Sequence, residues 1–92
     1  MNKMVSVVIP TYNRKDVSRA VKSVLNQTHD ELEVIVVDDH SKVPTTKRLE
    51  NIDDERLQVL RHEENRNGSA ARNTGIENAK GDYIAFLDDD DE

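Results

Sequence analysis

The chain has 92 residues, of which 35% are hydrophobic, 35% are charged and none is cysteine, and its formal net charge is −6. A chain of this length makes one domain with a modest core, and the lack of cysteine excludes a disulfide framework, a thiol nucleophile and a cysteine-ligated zinc site. Six of the 19 acidic residues lie in 82–92, which leaves 13 acids against 13 bases elsewhere. This charge balance argues against nucleic-acid binding, which needs a basic face. In addition, no apolar run in the sequence approaches the length of a membrane span.

Short β-branched blocks alternate with helical patterns along the chain. Val5 to Ile9 form the first block, which Pro10 closes. The apolar residues from Val17 to Leu25 then recur at the three- and four-residue spacing of one helix face. We predict Asn13 as the N-cap of this helix, with Asp16 three residues later in the manner of a capping box.

The rest of the chain repeats this alternation. Ser69 is the predicted cap of the last helix, and Gly81 is the predicted residue just beyond its end. Gly75 lies inside that helix at a cost of about 1 kcal/mol relative to alanine, which indicates close packing against a neighbour. The predicted elements are strands over 5–9, 33–37, 57–60 and 83–87 and helices over 14–26, 45–51 and 70–79.

This βαβαβαβ order defines the predicted fold class, a Rossmann-like α/β domain. Because the strands are continuously rather than alternately apolar, we expect a mostly parallel sheet with helices on both faces. The chain stops directly after the fourth strand and an acidic run. We therefore expect residues 1–92 to be the first, nucleotide-binding part of a longer protein.

Polar residues follow every predicted strand, where ligands bind in open α/β sheets. The first turn, Pro10 to Arg14, lacks the glycine fingerprint of a dinucleotide site, and the sequence has no Walker A loop. Asp88 and Asp90 follow the fourth strand, and carboxylates are hard ligands for Mg²⁺ or Mn²⁺. Such an ion would offset the charge of a bound diphosphate, which the acidic cluster alone would repel.

Four motifs follow one another along the chain: VSVVIPTYNR from Val5, VVDDHS from Val36, NGSAARNTG from Asn67 and GDYIAFLDDDD from Gly81. In this order they resemble the N-terminal half of a family 2 glycosyltransferase with the GT-A fold. They cover nearly the whole chain, and together they are far more specific than any one of them. The family implies inverting transfer of a sugar from a nucleotide diphosphate donor, usually uridine-linked, with a divalent metal, Mn²⁺ or Mg²⁺.

The resemblance also implies a role for particular residues. Tyr12 would flank the base, Asp39 would accept a hydrogen bond from the uracil N–H, and Arg72 would lie near the phosphates or the nucleoside. Asp89 stands where the family commonly has a small residue, and the usual proline after this strand is missing. The family's catalytic base is a carboxylate further downstream than residue 92. The implied nucleotide-binding residues are Pro10, Thr11, Tyr12, Asp39, Arg72 and Asp89, and the implied metal ligands are Asp88 and Asp90.

Each of these roles has a plainer alternative. In this alternative, the pair Asp38–Asp39 and the run 88–92 are strand ends exposed to solvent. Tyr12 is then an aromatic residue that only packs, and Arg72 is a surface residue that pairs with a nearby glutamate. The histidines are predicted to be surface residues because they lie far apart in sequence; they are His29, His40 and His62.

Two other function classes compete with an enzyme. One is a non-catalytic module that binds a nucleotide or interacts with a partner. The other is a phosphoacceptor receiver domain, which would need its acidic pair after the first strand rather than the second. For the longer protein we expect a nucleotide-sugar donor and a sugar, lipid or protein acceptor as partners. We expect a cytoplasmic location, peripheral to the membrane face, and a homodimer through the fourth strand.

Overall fold

The computed structural model describes residues 4–26 and 31–87, which form one four-stranded sheet with three helices. The strands agree with the predicted ones to within two residues at each end, whereas the first helix begins three residues later than predicted. The elements are β1 Val5–Thr11, α1 Val17–Leu25, β2 Leu32–Asp38, α2 Thr45–Arg48, β3 Leu57–Arg61, α3 Gly68–Asn78 and β4 Tyr83–Phe86.

The sheet is parallel throughout, with strand order β3-β2-β1-β4. Val5 of β1 pairs with Leu32 of β2, and the same residue pairs with Tyr83 of β4 on its other side. The central position of β1 and β2 explains their composition, because strands covered on both faces need apolar side chains on both. This arrangement confirms the predicted α/β fold class.

One face of the sheet carries α1 and the segment around α2. The apolar stripe of α1 is buried at Val17, Ala20, Val21 and Val24, as its periodicity predicts. These side chains pack with alternate residues of β1 and β2 and with Leu49, which follows α2. This face therefore holds the larger part of the core.

The opposite face carries α3, which packs on β1 and β2 through small residues. Ala71 is fully buried in a cluster with Val8, Ile35 and Val37. A Cβ built on Gly75 would overlap the Val8 side chain. The close packing predicted for Gly75 is therefore confirmed, and it brings α3 close enough for its first turn to reach the carboxyl ends of β1 and β2.

Gly81 lies beyond the end of α3 but does not serve as its C-terminal cap. The helix ends at Asn78, and Ala79 follows in an extended conformation. Gly81 instead packs against Ser6, whose hydroxyl accepts a hydrogen bond from the Gly81 N–H at 2.8 Å. The prediction for Gly81 was wrong because its small size is used for packing at the start of β4 rather than for a left-handed turn.

β4 forms one edge of the sheet and is exposed along its whole length. Its pairing with β1 extends past the strand, since the Leu87 N–H donates to the Val8 carbonyl at 3.1 Å. Tyr83, Ile84 and Phe86 are exposed apolar side chains. The carboxyl end of β4 thus lies beside β1, which leads directly into the first polar turn.

Candidate functional site

The carboxyl ends of β1 and β2 meet at one edge of the sheet. Thr11, the last residue of β1, is in register with Asp38, the last residue of β2. The pairing continues one residue further, because the Asp39 N–H donates to the Thr11 carbonyl at 2.9 Å. This places the polar turns after the two strands side by side, where ligands of open parallel sheets bind.

A cavity of about 270 Å³ opens at this edge. Its walls include five residues that the sequence analysis singled out for nucleotide binding: Pro10, Thr11, Tyr12, Asp39 and Arg72. The remaining lining residues, which the sequence analysis did not single out, are Arg14, Gly68 and Ala71. The other predicted site residues, Asp88, Asp89 and Asp90, lie outside the residues that the structure describes. We refer to this space as the first cavity.

The turn after β1 is held by Asn13, which adopts a left-handed backbone conformation with φ of 54°. Asparagine tolerates this conformation better than most residues. Its N–H donates to the Ser41 hydroxyl, and its side-chain oxygen accepts from the Lys42 N–H, both at 2.8 Å. Asn13 therefore joins the turns after β1 and β2, and this fixes the neighbouring Tyr12 at the cavity.

The prediction that Asn13 caps α1 was wrong. The helix starts at Val17, and Asp16 is its N-cap without a side-chain capping bond. The prediction failed because Asn13 finds partners in a turn that is distant in sequence, which a local capping pattern cannot show.

Asp39 lies against the first cavity as a buried carboxylate with several donors. Its side chain is 5% exposed. Oδ1 accepts from His62 Nδ1 at 2.7 Å and from the Arg66 N–H at 2.9 Å. Oδ2 accepts from the Asn67 N–H at 2.9 Å. Asp39 therefore also organises the loop between β3 and α3.

The pKa of the Asp39 carboxyl is lowered below its usual value. Burial acts in the opposite direction and would raise the pKa, but the hydrogen bonds from His62, Arg66 and Asn67 favour the charged form and outweigh it. The site thus presents an anion at neutral pH, and an ionised carboxylate is only an acceptor.

Asp38 is equally buried but serves a different part of the molecule. Its carboxylate accepts from the backbone N–H groups of Ser41 and Thr45 at 2.8 and 3.0 Å and forms an ion pair with Arg61 at 2.9 Å. Burial would raise its pKa, but bonds from Ser41 and Thr45 lower it overall. The structure therefore rejects the alternative that Asp38 and Asp39 are a solvated strand end.

α3 places its first turn against the first cavity. Asn67 is its N-cap, with the side-chain oxygen accepting from the Ala70 N–H at 2.9 Å. The predicted cap, Ser69, was wrong by two residues because either residue type can cap and the chain turns at Asn67, where φ is 123°. The exposed N–H groups of a helix start favour an anionic ligand.

His62 is buried, contrary to the prediction of a surface residue, whereas His40 is exposed as predicted. His62 follows β3 directly, and its N–H donates to the Asp38 carbonyl at 2.9 Å, which sets its ring beside Asp39. The sequence contained a usable indication, because His62 occupies the same place after β3 that Asp39 occupies after β2. The third histidine, His29, lies outside the described residues.

Residues 4–26 and 31–87 include no cluster of three or more histidine, cysteine or acidic side chains suited to a metal ion. In the same ranges, no helix is both long and apolar enough to span a bilayer.

Comparison with known proteins identifies the class to which this fold and cavity belong. Residues 6–92 match the family described as glycosyl transferase family 2. Since the match covers nearly the whole chain, the chain belongs to the family 2 glycosyltransferases, and the resemblance inferred from its four motifs is confirmed.

Among the relatives, the putative teichuronic acid biosynthesis glycosyltransferase TuaG of Bacillus subtilis is 45% identical over 91 residues, which are 96% of this chain and 36% of TuaG. The Escherichia coli protein named UDP-Glc:alpha-D-GlcNAc-diphosphoundecaprenol beta-1,3-glucosyltransferase WfgD is 38% identical over 89 residues, 96% of this chain and 35% of WfgD. The chain thus spans about a third of the length of these relatives.

A solved structure supports the same fold. The mannosyltransferase PcManGT from Pyrobaculum calidifontis, determined in complex with GDP-Man and Mn²⁺, superposes with a TM-score of 0.86 at 29% identity. The superposition covers 98% of this chain and 28% of PcManGT.

Proposed function

We propose that the chain is the donor-binding part of an inverting glycosyltransferase that moves a sugar from a uridine-linked diphosphate donor to an acceptor hydroxyl. The observation that carries this proposal is the convergence of Pro10, Thr11, Tyr12, Asp39 and Arg72 on the first cavity. Pro10 and Thr11 end β1, Tyr12 and Asp39 lie in the turns after β1 and β2, and Arg72 lies on α3, so the fold brings together residues that are far apart in sequence.

Asp39 and Tyr12 are suited to the nucleoside. An ionised carboxylate accepts hydrogen bonds but donates none, so Asp39 favours a base that offers an N–H, such as uracil at N3. Tyr12 is 46% exposed at the rim of the cavity and offers an aromatic face to a base. The name of WfgD, which specifies UDP-Glc, supports a uridine donor.

The diphosphate would lie near Arg14, Arg72 and the start of α3, all of which face the first cavity. We assign the divalent ion, Mn²⁺ or Mg²⁺, to Asp88 and Asp90, with Asp89 at the nucleotide. Their carboxylate oxygens suit either ion, and the Mn²⁺ in the PcManGT complex supports the assignment. Such an ion, when bound, neutralises the diphosphate and stabilises it as a leaving group.

For the whole protein, we propose attack by an acceptor hydroxyl on the anomeric carbon. The new glycosidic bond forms as the bond to the diphosphate breaks on the opposite face, and the hydroxyl proton passes to a base. We assign no residue of this chain as that base. The name of WfgD includes a diphosphoundecaprenol-linked sugar, which makes a lipid-linked acceptor at a membrane surface the leading candidate.

Calorimetric titration with UDP tests the donor site. We expect binding in Mn²⁺ that weakens roughly tenfold or more in EDTA, because the diphosphate then meets uncompensated carboxylates. Asp90→Asn should reproduce much of this loss. The control is Asp53→Asn, an exposed acid in the loop before β3, which should bind UDP like the unmodified chain.

Two results would contradict the proposal. Equal UDP affinity in Mn²⁺ and in EDTA would show that UDP binding does not need the metal. A folded chain that binds no UDP under either condition would show that the chain has no UDP site.

A further inference from the structure

Asp39 has most of its acceptor capacity filled by the protein itself. A carboxylate offers about four acceptor positions, two on each oxygen. His62 Nδ1 and the Arg66 N–H occupy both positions of Oδ1, and the Asn67 N–H occupies one of Oδ2. The described part of the chain therefore leaves one position, on Oδ2, for a donor from a ligand in the first cavity.

His62 contacts Asp39 without facing the ligand side. Within the described ranges it is absent from the lining of the first cavity, and it instead lines a second, open depression of about 610 Å³ next to Arg61 and Glu63. The side chains of His62 and Asp39 are 6% and 5% exposed where they meet. Any effect of His62 on a ligand in the first cavity is therefore indirect, and it passes either through Asp39 or through α3, which also lines that cavity.

The hydrogen-bond chain fixes the proton on the ring nitrogen that faces Asp39. An ionised Asp39 only accepts, so the His62 Nδ1 must carry a hydrogen. On the other side of the ring, Nε2 lies 2.8 Å from the Thr74 hydroxyl on α3. His62 thus makes two separate bonds: one to the cavity carboxylate and one to the helix.

We propose that His62 is a positioning residue for nucleoside recognition: its Nδ1–H bond holds the Asp39 carboxylate with the remaining Oδ2 acceptor position available to the base. The inference rests on the proposed function, because it requires a nucleoside in the first cavity. It predicts that discrimination between bases follows the bond from His62 to Asp39 and is independent of the bond from His62 to Thr74.

Two substitutions at position 62 separate these bonds. The amide nitrogen of asparagine lies near the position of the histidine Nδ1, so His62→Asn keeps a donor for Asp39 and loses contact with Thr74. The longer glutamine reaches the position of Nε2, so His62→Gln keeps a partner for Thr74 and loses the donor for Asp39. Thr74→Val is the matched control on α3. It removes the bond to Nε2, together with the bond from the Thr74 hydroxyl to the Ala70 carbonyl at 3.0 Å, and leaves the bond from His62 to Asp39 in place.

The experiment titrates UDP and CDP in Mn²⁺ into the chain and the three variants. Cytosine has no N–H at N3, so we expect the unmodified chain to favour UDP by roughly tenfold or more. His62→Asn and Thr74→Val should keep this ratio within about threefold, whereas His62→Gln should lose most of it. Urea unfolding of each variant would show comparable stability losses for the two position-62 variants.

The outcomes distinguish this inference from the proposed function. An unmodified chain without a UDP preference would refute the proposed uridine site. A preserved preference in a folded His62→Gln variant, or an equal loss in His62→Asn, would overturn the positioning role of His62.

If His62→Gln does not fold, ¹⁵N spectra of the imidazole ring in the unmodified chain give the answer. A protonated Nδ1 whose resonance shifts with UDP and Mg²⁺, but not with CDP, supports the role. An unprotonated Nδ1, or no shift with UDP, overturns it.

Discussion

Asp38 and Asp39 are adjacent buried carboxylates at the end of β2, yet they serve different parts of the molecule. Asp38 binds the backbone of the loop that leads to α2, with donors from Ser41 and Thr45. Asp39 binds the loop that leads to α3 and lines the first cavity. Because the two share residue type, burial and number of donors, each is a matched control for the other.

We predict that Asp39→Asn reduces the preference for UDP over CDP and that Asp38→Asn leaves the preference unchanged. An amide in place of the Asp39 carboxylate offers a donor where uracil also presents one, and the loss should be about 1–3 kcal/mol in the difference between the two binding free energies. Calorimetric titration of both nucleotides into both variants measures it. An unchanged preference in Asp39→Asn would show that Asp39 does not read the base.

We also predict that Asp38 contributes stability that acid removes. Its folded pKa lies below the unfolded value of about 3.9, so the contribution is complete above that value and is lost as the pH falls through the folded pKa. Asp38→Asn should cost about 1–3 kcal/mol in the free energy of unfolding at pH 7 and less at pH 3. Urea unfolding at both pH values decides this, and an equal cost at the two pH values would contradict it.

At the scale of single residues, the residues that line the first cavity were more predictable from the sequence than the residues that hold them in place. Tyr12, Asp39 and Arg72 carry family motifs, and the fold brings them together as expected. The roles of Asn13 and His62 depend on partners 28 and 23 residues away, respectively, and local patterns do not encode such contacts. The long-range hydrogen bonds of the site could therefore not be predicted from the sequence alone.

At the scale of elements, α3 packs on the sheet through small residues that allow a close approach, and it has no apolar stripe of large side chains. Its buried residues are Ala71 and Gly75, and the latter lets the helix approach Val8 of β1. α1 shows the opposite case, with a stripe of valines that its spacing made predictable. The existence of α3 was predictable from its capping and helix-forming residues. Its close packing against β1 was indicated only by Gly75.

We predict that Gly75→Ala destabilises the chain by about 1–3 kcal/mol, although alanine is the better helix former by about 1 kcal/mol. The added methyl group would overlap the Val8 side chain, which is fully buried and has little room to move. Gly68→Ala is the control in the same helix, because its methyl group would meet only the end of the Arg72 side chain at 3.5 Å. Urea unfolding should show Gly75→Ala as the less stable variant, and equal stabilities would refute the close packing.

At the scale of the whole molecule, the described residues leave β4 uncovered at the edge of the sheet. Ile84 is 41% exposed there, and Phe86 contributes with Leu87 to an apolar groove beside Val24 of α1. Exposed apolar edge strands favour pairing with another chain. The homodimer through this strand stays a prediction, and the exposure of β4 is the feature on which the prediction rests.

Sedimentation at several protein concentrations tests this association. We predict that Ile84→Lys shifts the chain toward monomer, whereas Ile76→Lys, at a similarly exposed site on α3, leaves association unchanged. Added salt or Mg²⁺ should strengthen association by screening the acidic residues that follow β4. A chain that is monomeric at every concentration and salt level would refute the dimer.

We propose that the first cavity holds the nucleotide of a sugar donor. The most direct test is a titration of the ¹⁵N-labelled chain with UDP and Mg²⁺, followed by the backbone amide resonances. We predict shifts at Thr11, Tyr12, Asp39 and the first turn of α3, with Ser6 and Gly81 at the opposite end of the sheet unchanged. Shifts confined to that opposite end, or no shifts at saturating UDP, would contradict the claim.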